Sequence, residues 1–309
     1  MSRSTRTPRQ ANSLSYTSPF IEVSQMLLKT RSDNFSALFF VPLYCSLLFG
    51  VTMLNRAQEP AMARQNGAKN EYQVGAILWT QSSAEYRALA YQTFSLAKLR
   101  IDQDLRHRSA KRRAVIVDVD ETVLDNSRFQ AELVLRDAPY TAENWKAWCD
   151  RAEAGAVPGA VDFLKYAANR GVRVFYITNR RQPEKAGTIT NLIKLGFPGV
   201  TEDSVMIREQ GTTASKESRR ERVRRRYSIA MLVGDNLNDF NDNFSGKSIA
   251  DRSSEVDHER AEFGSRFIVV PNPMYGDWEN AVNNNQSNLN DAQRAANRRG
   301  ALKGITTQP

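Results

Sequence analysis

Residues Ala114-Val115-Ile116-Val117 lead straight into Asp118-Val119-Asp120-Glu121-Thr122, and Asp125 comes soon after. A buried strand does not end in carboxylates without a partner, because an unpaired buried charge costs several kcal/mol or is neutralised by a proton. Further along, Thr178-Asn179-Arg180 follows a second apolar run. Lys216 stands ahead of another, which ends in Gly234-Asp235-Asn236-Leu237-Asn238-Asp239. Asp118 and Asp235, on neighbouring strand ends, make an oxygen-rich pocket suited to a hard divalent cation such as Mg²⁺. The ion neutralises the cluster and shields Asp118, so that this anion can approach a phosphoryl group. In that chemistry Asp118 attacks phosphorus and forms an aspartyl-phosphate. Asp120 protonates the leaving oxygen and then takes a proton from water. Thr178 donates a hydrogen bond to a phosphoryl oxygen, and Lys216 faces the charge that builds up in the transition state.

Rival readings fit less well. A calcium-binding EF-hand loop also begins Asp-x-Asp, but it needs Gly at its sixth position and Glu at its twelfth; Val123 and Phe129 stand there. A dehalogenase uses one nucleophilic Asp and has no need of Asp120. Asp residues also cap helices and turns, which would account for one of these carboxylates alone. Asp118, Asp120, Thr122, Thr178, Lys216, Asp235 and Asp239, in that order at strand ends, are too many for that.

The surrounding elements must bring these residues together. Short apolar strands are expected near 114–119, 172–177, 204–207, 228–233 and 266–270. Helices are expected near 159–169, 183–195, 215–226 and 236–244, with Gly171 and Gly196 where helix C-caps belong. Strands alternating with helices mean right-handed crossovers and an α/β fold with a parallel sheet, whose ligands bind beyond the carboxyl ends of the strands. The core is expected over 113–282, with residues 127–157 as an inserted helical cap. Ahead of it, residues 72–112 form a helical region. There Ser82 and Glu85 have the spacing of a capping box, and Leu89, Ala90, Phe94, Leu96, Ala97, Ile101 and Leu105 recur at helical spacing. Residues 283–309 read as a polar tail or weak helix.

The chain has 309 residues, 41% hydrophobic and 25% charged, enough for a sizeable core. Its two cysteines, Cys45 and Cys149, give no disulfide framework. The net charge of +9 favours anionic partners. Nucleic acid is not expected, because no base-stacking module accompanies the charge. The basic run "KESRRERVRRRY" reads as a solvated helix face. His107 and His258 stand outside the constellation and receive no role. Residues 1–34 are Ser-, Thr- and Arg-rich and expected to be disordered. Residues 35–54 carry no charge and reach the span of a membrane helix, about 20 residues, with a basic side that stays cytoplasmic. Ala61-Met62-Ala63 supplies a small-x-small site after them. Residues 35–63 therefore read as a signal peptide or a signal anchor. The chain beyond residue 63 is expected to be exported: periplasmic, at the outer membrane or anchored at the cell surface. The oligomeric state is left open.

The motifs "LWTQSSAEYRAL", "VDVDETVLDNS", "NWKAW", "PGAVDFL", "FYITNR", "SKESRR", "LVGDNLNDF" and "PNPMYGDWE" resemble those of class C acid phosphatases of the haloacid dehalogenase (HAD) superfamily, which include bacterial lipoprotein 5′-nucleotidases. The resemblance implies a HAD-like Rossmannoid sheet and a Mg²⁺-dependent phosphomonoesterase at the cell surface. It makes Asp118 the nucleophile and Asp120 the acid/base. Asp118, the backbone carbonyl of Asp120 and Asp235 become metal ligands, with Asp239 supporting them. Thr178 and Lys216 become the phosphoryl-binding pair, and Trp145 and Tyr275 flank a nucleobase. Pro271, Pro273 and Gly276 fix the loop carrying Tyr275, so its ring and Trp145 of the cap are placed to clasp a flat base. Trp148 shares a helix face with Trp145 and reads as core packing. Tyr44, just before Cys45, is too bulky for the family's lipidation site. The competing reading is a non-catalytic surface or binding protein that keeps the fold, against which the retained Asp118 argues.

Overall fold

The structure, a computed structural model, describes residues 70–304. The expected N-terminal extension (1–34) and the apolar run with its processing site (35–63) lie outside them. Among the described residues, no helix is long and apolar enough to cross a membrane.

Apolar residues on both faces of β1 (Arg113–Val117) mark a strand covered on both sides, and Ala114 to Val117 are all buried. It pairs in parallel with β4 (Arg173–Ile177) on one side and with β6 (Ser228–Gly234) on the other. The sheet is completed by β5 (Val205–Met206) beyond β4 and β7 (Phe267–Val269) beyond β6, giving the order β5-β4-β1-β6-β7. The chain thus runs outward from β1 to β5, then returns to the opposite side. The carboxyl end of β1 is the topological switch point, where a ligand crevice opens in such sheets. Alternate residues face two layers. Val115, Val117, Val174, Tyr176 and Val233 join a core with Phe94 of α2 (Ala84–Leu105) and Phe163 of α5 (Ala160–Asn169). Ala114, Ile116, Phe175 and Leu232 meet Val223 of α7 (Glu217–Arg226) and Phe240 on the other face.

An antiparallel pair of β2 (Leu124–Asp125) and β3 (Gly155–Ala156) closes off the inserted cap, which holds α3 (Ser127–Leu135) and α4 (Ala142–Arg151). A capping box between Thr141 and Asn144 starts α4. Its C-terminal end lies against α6 (Lys185–Lys194), where a Cβ on Gly187 would run into the Cys149 carbonyl. Glycine there lets cap and core approach closely.

The expected strands and the helices α5, α6 and α7 are present, with boundaries shifted by at most two residues. Gly171 and Gly196 take left-handed φ just past the ends of α5 and α6, as their places imply. Four expectations need correction. Residues 236–244 form two single 3₁₀ turns, Leu237–Asp239 and Asp242–Phe244, because Asn236 and Asn241 each cap a short turn through their own side chains. The N-cap of α2 is Ser83, whose Oγ accepts from Tyr86 N, while Ser82 still ends α1 (Val74–Ser82). Leu89 is exposed, and Tyr86 is buried in its stead against Trp79. The run from Lys216 to Tyr227 is not wholly a solvated face, since Arg219 and Arg220 are buried. Two helices were not expected between 245 and 282: α8 (Ile249–His258) and α9 (Asp277–Val282). The tail does contain a helix, α10 (Asp291–Gly300), started by Asn290 and Gln293.

Candidate active site

Asp118 continues the β1 ladder, its N–H donating to the Val233 carbonyl at 2.9 Å. Its carboxylate therefore projects from the carboxyl end of the central strand. β6 ends one residue before Asp235. Asp239 folds back over Gly234, where any side chain would collide with it. One carboxylate oxygen from each of Asp118, Asp235 and Asp239 lies within 4.8 Å of the others. Lys216, at the start of α7, donates to Asp118 and forms an ion pair with Asp239 at 2.7 Å. Burial works against the Lys216 charge, but Asp118 and Asp239 outweigh it and hold its pKa above the usual range.

Asp235 has no such cation. Its oxygens accept from two neutral groups, Thr122 Oγ1 and Asn272 Nδ2, both at 2.9 Å. Burial, with Asp239 next to it, pushes the Asp235 carboxyl up to about 7. Burial likewise pushes Asp118 well up, with Asp239, Asp235 and Asp120 adding to it against Lys216. Asp118 and Asp239 are buried and Asp235 partly so, one lysine pairs with only two of the three, and all the donors are oxygen. That set is one positive charge or more short and fits a hard divalent cation.

Asp120 faces the other way. Arg180 grips it through Nη2 at 2.7 Å and Nε at 3.1 Å, Asn126 Nδ2 donates to it at 2.9 Å, and Thr178 Oγ1 donates at 3.3 Å. The Asp120 charge, outweighing burial, holds the Arg180 pKa above its ordinary range. The structure thus gathers Asp118, Asp120, Thr122, Thr178, Lys216, Asp235 and Asp239 at the ends of β1, β4 and β6.

Trp145 and Tyr275 come from different elements, and Trp145 is buried in the same core as Trp148. Trp145, in α4, packs edge-on against Phe129 with ring centres 5.1 Å apart, and the Arg180 guanidinium lies 5.1 Å from its ring centre. Tyr275 sits on the loop after β7 and donates its hydroxyl to Glu121. Trp148 is core packing, as expected, but its Nε1 also donates to Asn126 Oδ1 at 2.8 Å.

Sequence reasoning misses four residues. Arg180 stands beside Thr178 in the quoted motif, but nothing in its spacing shows which carboxylate it meets. Arg219 reads as surface charge; it donates to the Thr178 carbonyl and, at 2.8 Å, to Asn179 Oδ1, so it props up the end of β4. Burial lowers its pKa to about 10 against the pull of Asp118. Arg220 donates to the carbonyls of Asn238 and Asp239 and so fixes the loop that carries Asp239. Glu121 carries no sequence signal beyond its motif.

A family model described as HAD superfamily, subfamily IIIB (acid phosphatase), matches residues 51–278. The class C acid phosphatase from Bacillus anthracis is 39% identical, with a TM-score of 0.74 over 77% of this chain and 99% of that one. The same relative is known with tungstate bound, at the same similarity. Among curated proteins, acid phosphatase 1 of Solanum lycopersicum is 24% identical over 52% of this chain, and the stem 31 kDa glycoprotein of Glycine max is 23% identical over the same share. The chain spans 57% and 58% of the length of these two relatives.

Proposed function

The chain belongs to the acid phosphatases of HAD subfamily IIIB, and from that premise we propose that it is an exported, Mg²⁺-dependent phosphomonoesterase with a preference for nucleoside monophosphates. One observation carries the reading: the side chains of the proposed nucleophile, acid/base and phosphoryl-binding groups converge on the switch point of the sheet, Asp118 paired with Lys216 and Asp120 with Thr178 and Arg180. A non-catalytic protein keeping the fold would have no use for so costly a cluster.

Asp118 is the group that bonds to phosphorus while the P–O bond to the leaving group breaks. Its β1 ladder bond fixes the backbone at the end of the strand from which the carboxylate projects. Asp120 gives a proton to the departing oxygen, then removes one from the water that releases phosphate and frees Asp118. Arg180 and Asn126 orient Asp120 for both tasks. Thr178 and Lys216 supply donors to the phosphoryl oxygens, where negative charge is concentrated. Tungstate, bound by the Bacillus anthracis relative, is a tetrahedral oxyanion like phosphate and supports an anion of that shape as ligand. Asp118, Asp235 and the Asp120 carbonyl would hold Mg²⁺, with Asp239 beside them. When bound, the ion would screen Asp118 from the phosphoryl oxygens and offset their charge.

The base preference rests on Trp145 and Tyr275, because phosphate chemistry needs neither. Stacking contributes roughly 1–3 kcal/mol per base and tolerates any base. Phosphate release from AMP and from glycerol 2-phosphate, both with Mg²⁺, tests the reading. Tyr275→Ala is expected to raise KM for AMP about tenfold or more relative to the small phosphate. Equal effects on the two substrates leave a general acid phosphatase, and no phosphate release from either ends the proposal. Export rests on the apolar run 35–54 and its basic flank. Fractionation of expressing cells checks it: full-length protein confined to the cytosol contradicts export.

A further inference from the structure

Glu121 is held at a cost that its position in a turn does not require. It carries a side chain yet adopts φ of +56°, a left-handed conformation unfavourable for any residue but glycine. The residue is 3% exposed, and its carboxylate stands among those of Asp120, Asp235 and Asp125. No cation lies within ion-pair distance of it among the described residues. Such strain, in a side chain buried among other carboxyls with no cation beside it, persists only where the surroundings over-determine it, and it collects at functional sites.

What the carboxylate holds is specific. Oε1 accepts the backbone N–H of Asn126 at 3.0 Å, where the cap begins. Oε2 accepts the hydroxyl of Tyr275 from the loop after β7. Asn126 is itself fully buried. It donates to Asp120 and accepts from Trp148 of the cap. The loop is tied down a second time, since Asn272 donates to Asp235 and accepts from Met274 N at 2.9 Å. Asn272 fixes the loop's path, but it leaves the Tyr275 ring free to turn about its own side-chain torsions. The hydroxyl bond to Glu121 removes that freedom.

We propose that Glu121 is a positioning residue that latches the Tyr275 ring at the rim of the crevice and thereby sets the preference for substrates carrying a flat base. The inference rests on the proposed nucleotide preference. A ring already fixed loses no further rotational freedom when a base stacks on it, so the latch acts on base binding. It does not touch the reacting phosphoryl group.

The test compares Tyr275→Phe, Glu121→Ala and the double variant, with KM and kcat measured for AMP and for glycerol 2-phosphate. Each single variant is expected to raise KM for AMP about tenfold more than KM for glycerol 2-phosphate. In Tyr275→Phe kcat should change far less, whereas Glu121→Ala also frees Asn126, which orients Asp120, and should lower kcat on both substrates alike. The double variant is expected to be no worse than the poorer single one, because both remove the same bond. Additive rises in KM for AMP, or equal rises in KM for both substrates, overturn the latch. If Glu121→Ala does not fold, Tyr275→Phe decides alone, since it keeps the ring and deletes only the hydroxyl. Selective loss in Tyr275→Ala with none in Tyr275→Phe rejects the latch and leaves base stacking standing. Unselective loss in Tyr275→Ala rejects base stacking itself.

Discussion

Asp118→Asn is expected to cut phosphate release by at least about 10⁴-fold while leaving the protein folded. The amide matches the carboxylate in shape but cannot form the covalent intermediate. The fold should tolerate it, because Lys216 keeps its ion pair with Asp239 and the Asn oxygen can still accept from the ammonium. Stability in metal-free buffer should stay level or rise, since one of three crowded negative charges is gone. Asp120→Asn makes the contrast. It should lose about 10²–10⁴-fold, the worth of a general acid–base group, because attack on phosphorus does not require it. Phosphate-release assays paired with thermal melts check both. Near-normal turnover in folded Asp118→Asn protein would mean that attack comes from another group.

The residues of the proposed chemistry are legible because their types are rare in the places they occupy. A buried strand ending in Asp118 and Asp120 is costly unless something pairs with it, and the cost itself is the signal. The parallel sheet follows from apolar runs alternating with helices, and two glycines mark helix ends. The hidden features depend on contacts between distant segments. Arg219 and Arg220 lie in a run with five further Lys and Arg residues, and composition gives no hint that these two turn inward. Their burial follows from α7 packing Val223 against the sheet, which fixes the helix face. The turn at 236–244 looks helical in sequence because Leu237 and Phe240 are suitably spaced; the Asn side chains win the local competition. α8 escapes detection because its sequence, IADRSSEVDH, presents no continuous apolar stripe. Glu121 is invisible as a positioning residue because its partner, Tyr275, is 154 positions away.

The same shortage of positive charge makes metal removal the second large effect. Asp118 and Asp239 each have Lys216, whereas Asp235 has only the hydroxyl of Thr122 and the amide of Asn272. Asp235 is therefore the carboxylate with the most to gain from a cation. Protein stripped with a chelator should lose nearly all activity. Restoring Mg²⁺ to about a hundred times its dissociation constant should raise the melting temperature by roughly 5–10 °C, since ligand binding to the folded state alone adds about 2.7 kcal/mol. Asp235→Asn should abolish both that rise and the heat of Mg²⁺ binding seen by calorimetry. Asp120→Asn should keep both, because the proposed ligand there is a backbone carbonyl that the substitution leaves in place. The two variants separate the roles without any substrate present. If Asp235→Asn binds Mg²⁺ as well as the unaltered chain does, the cation is not held at the end of β6. The buried carboxylates would then have to be neutralised by protons.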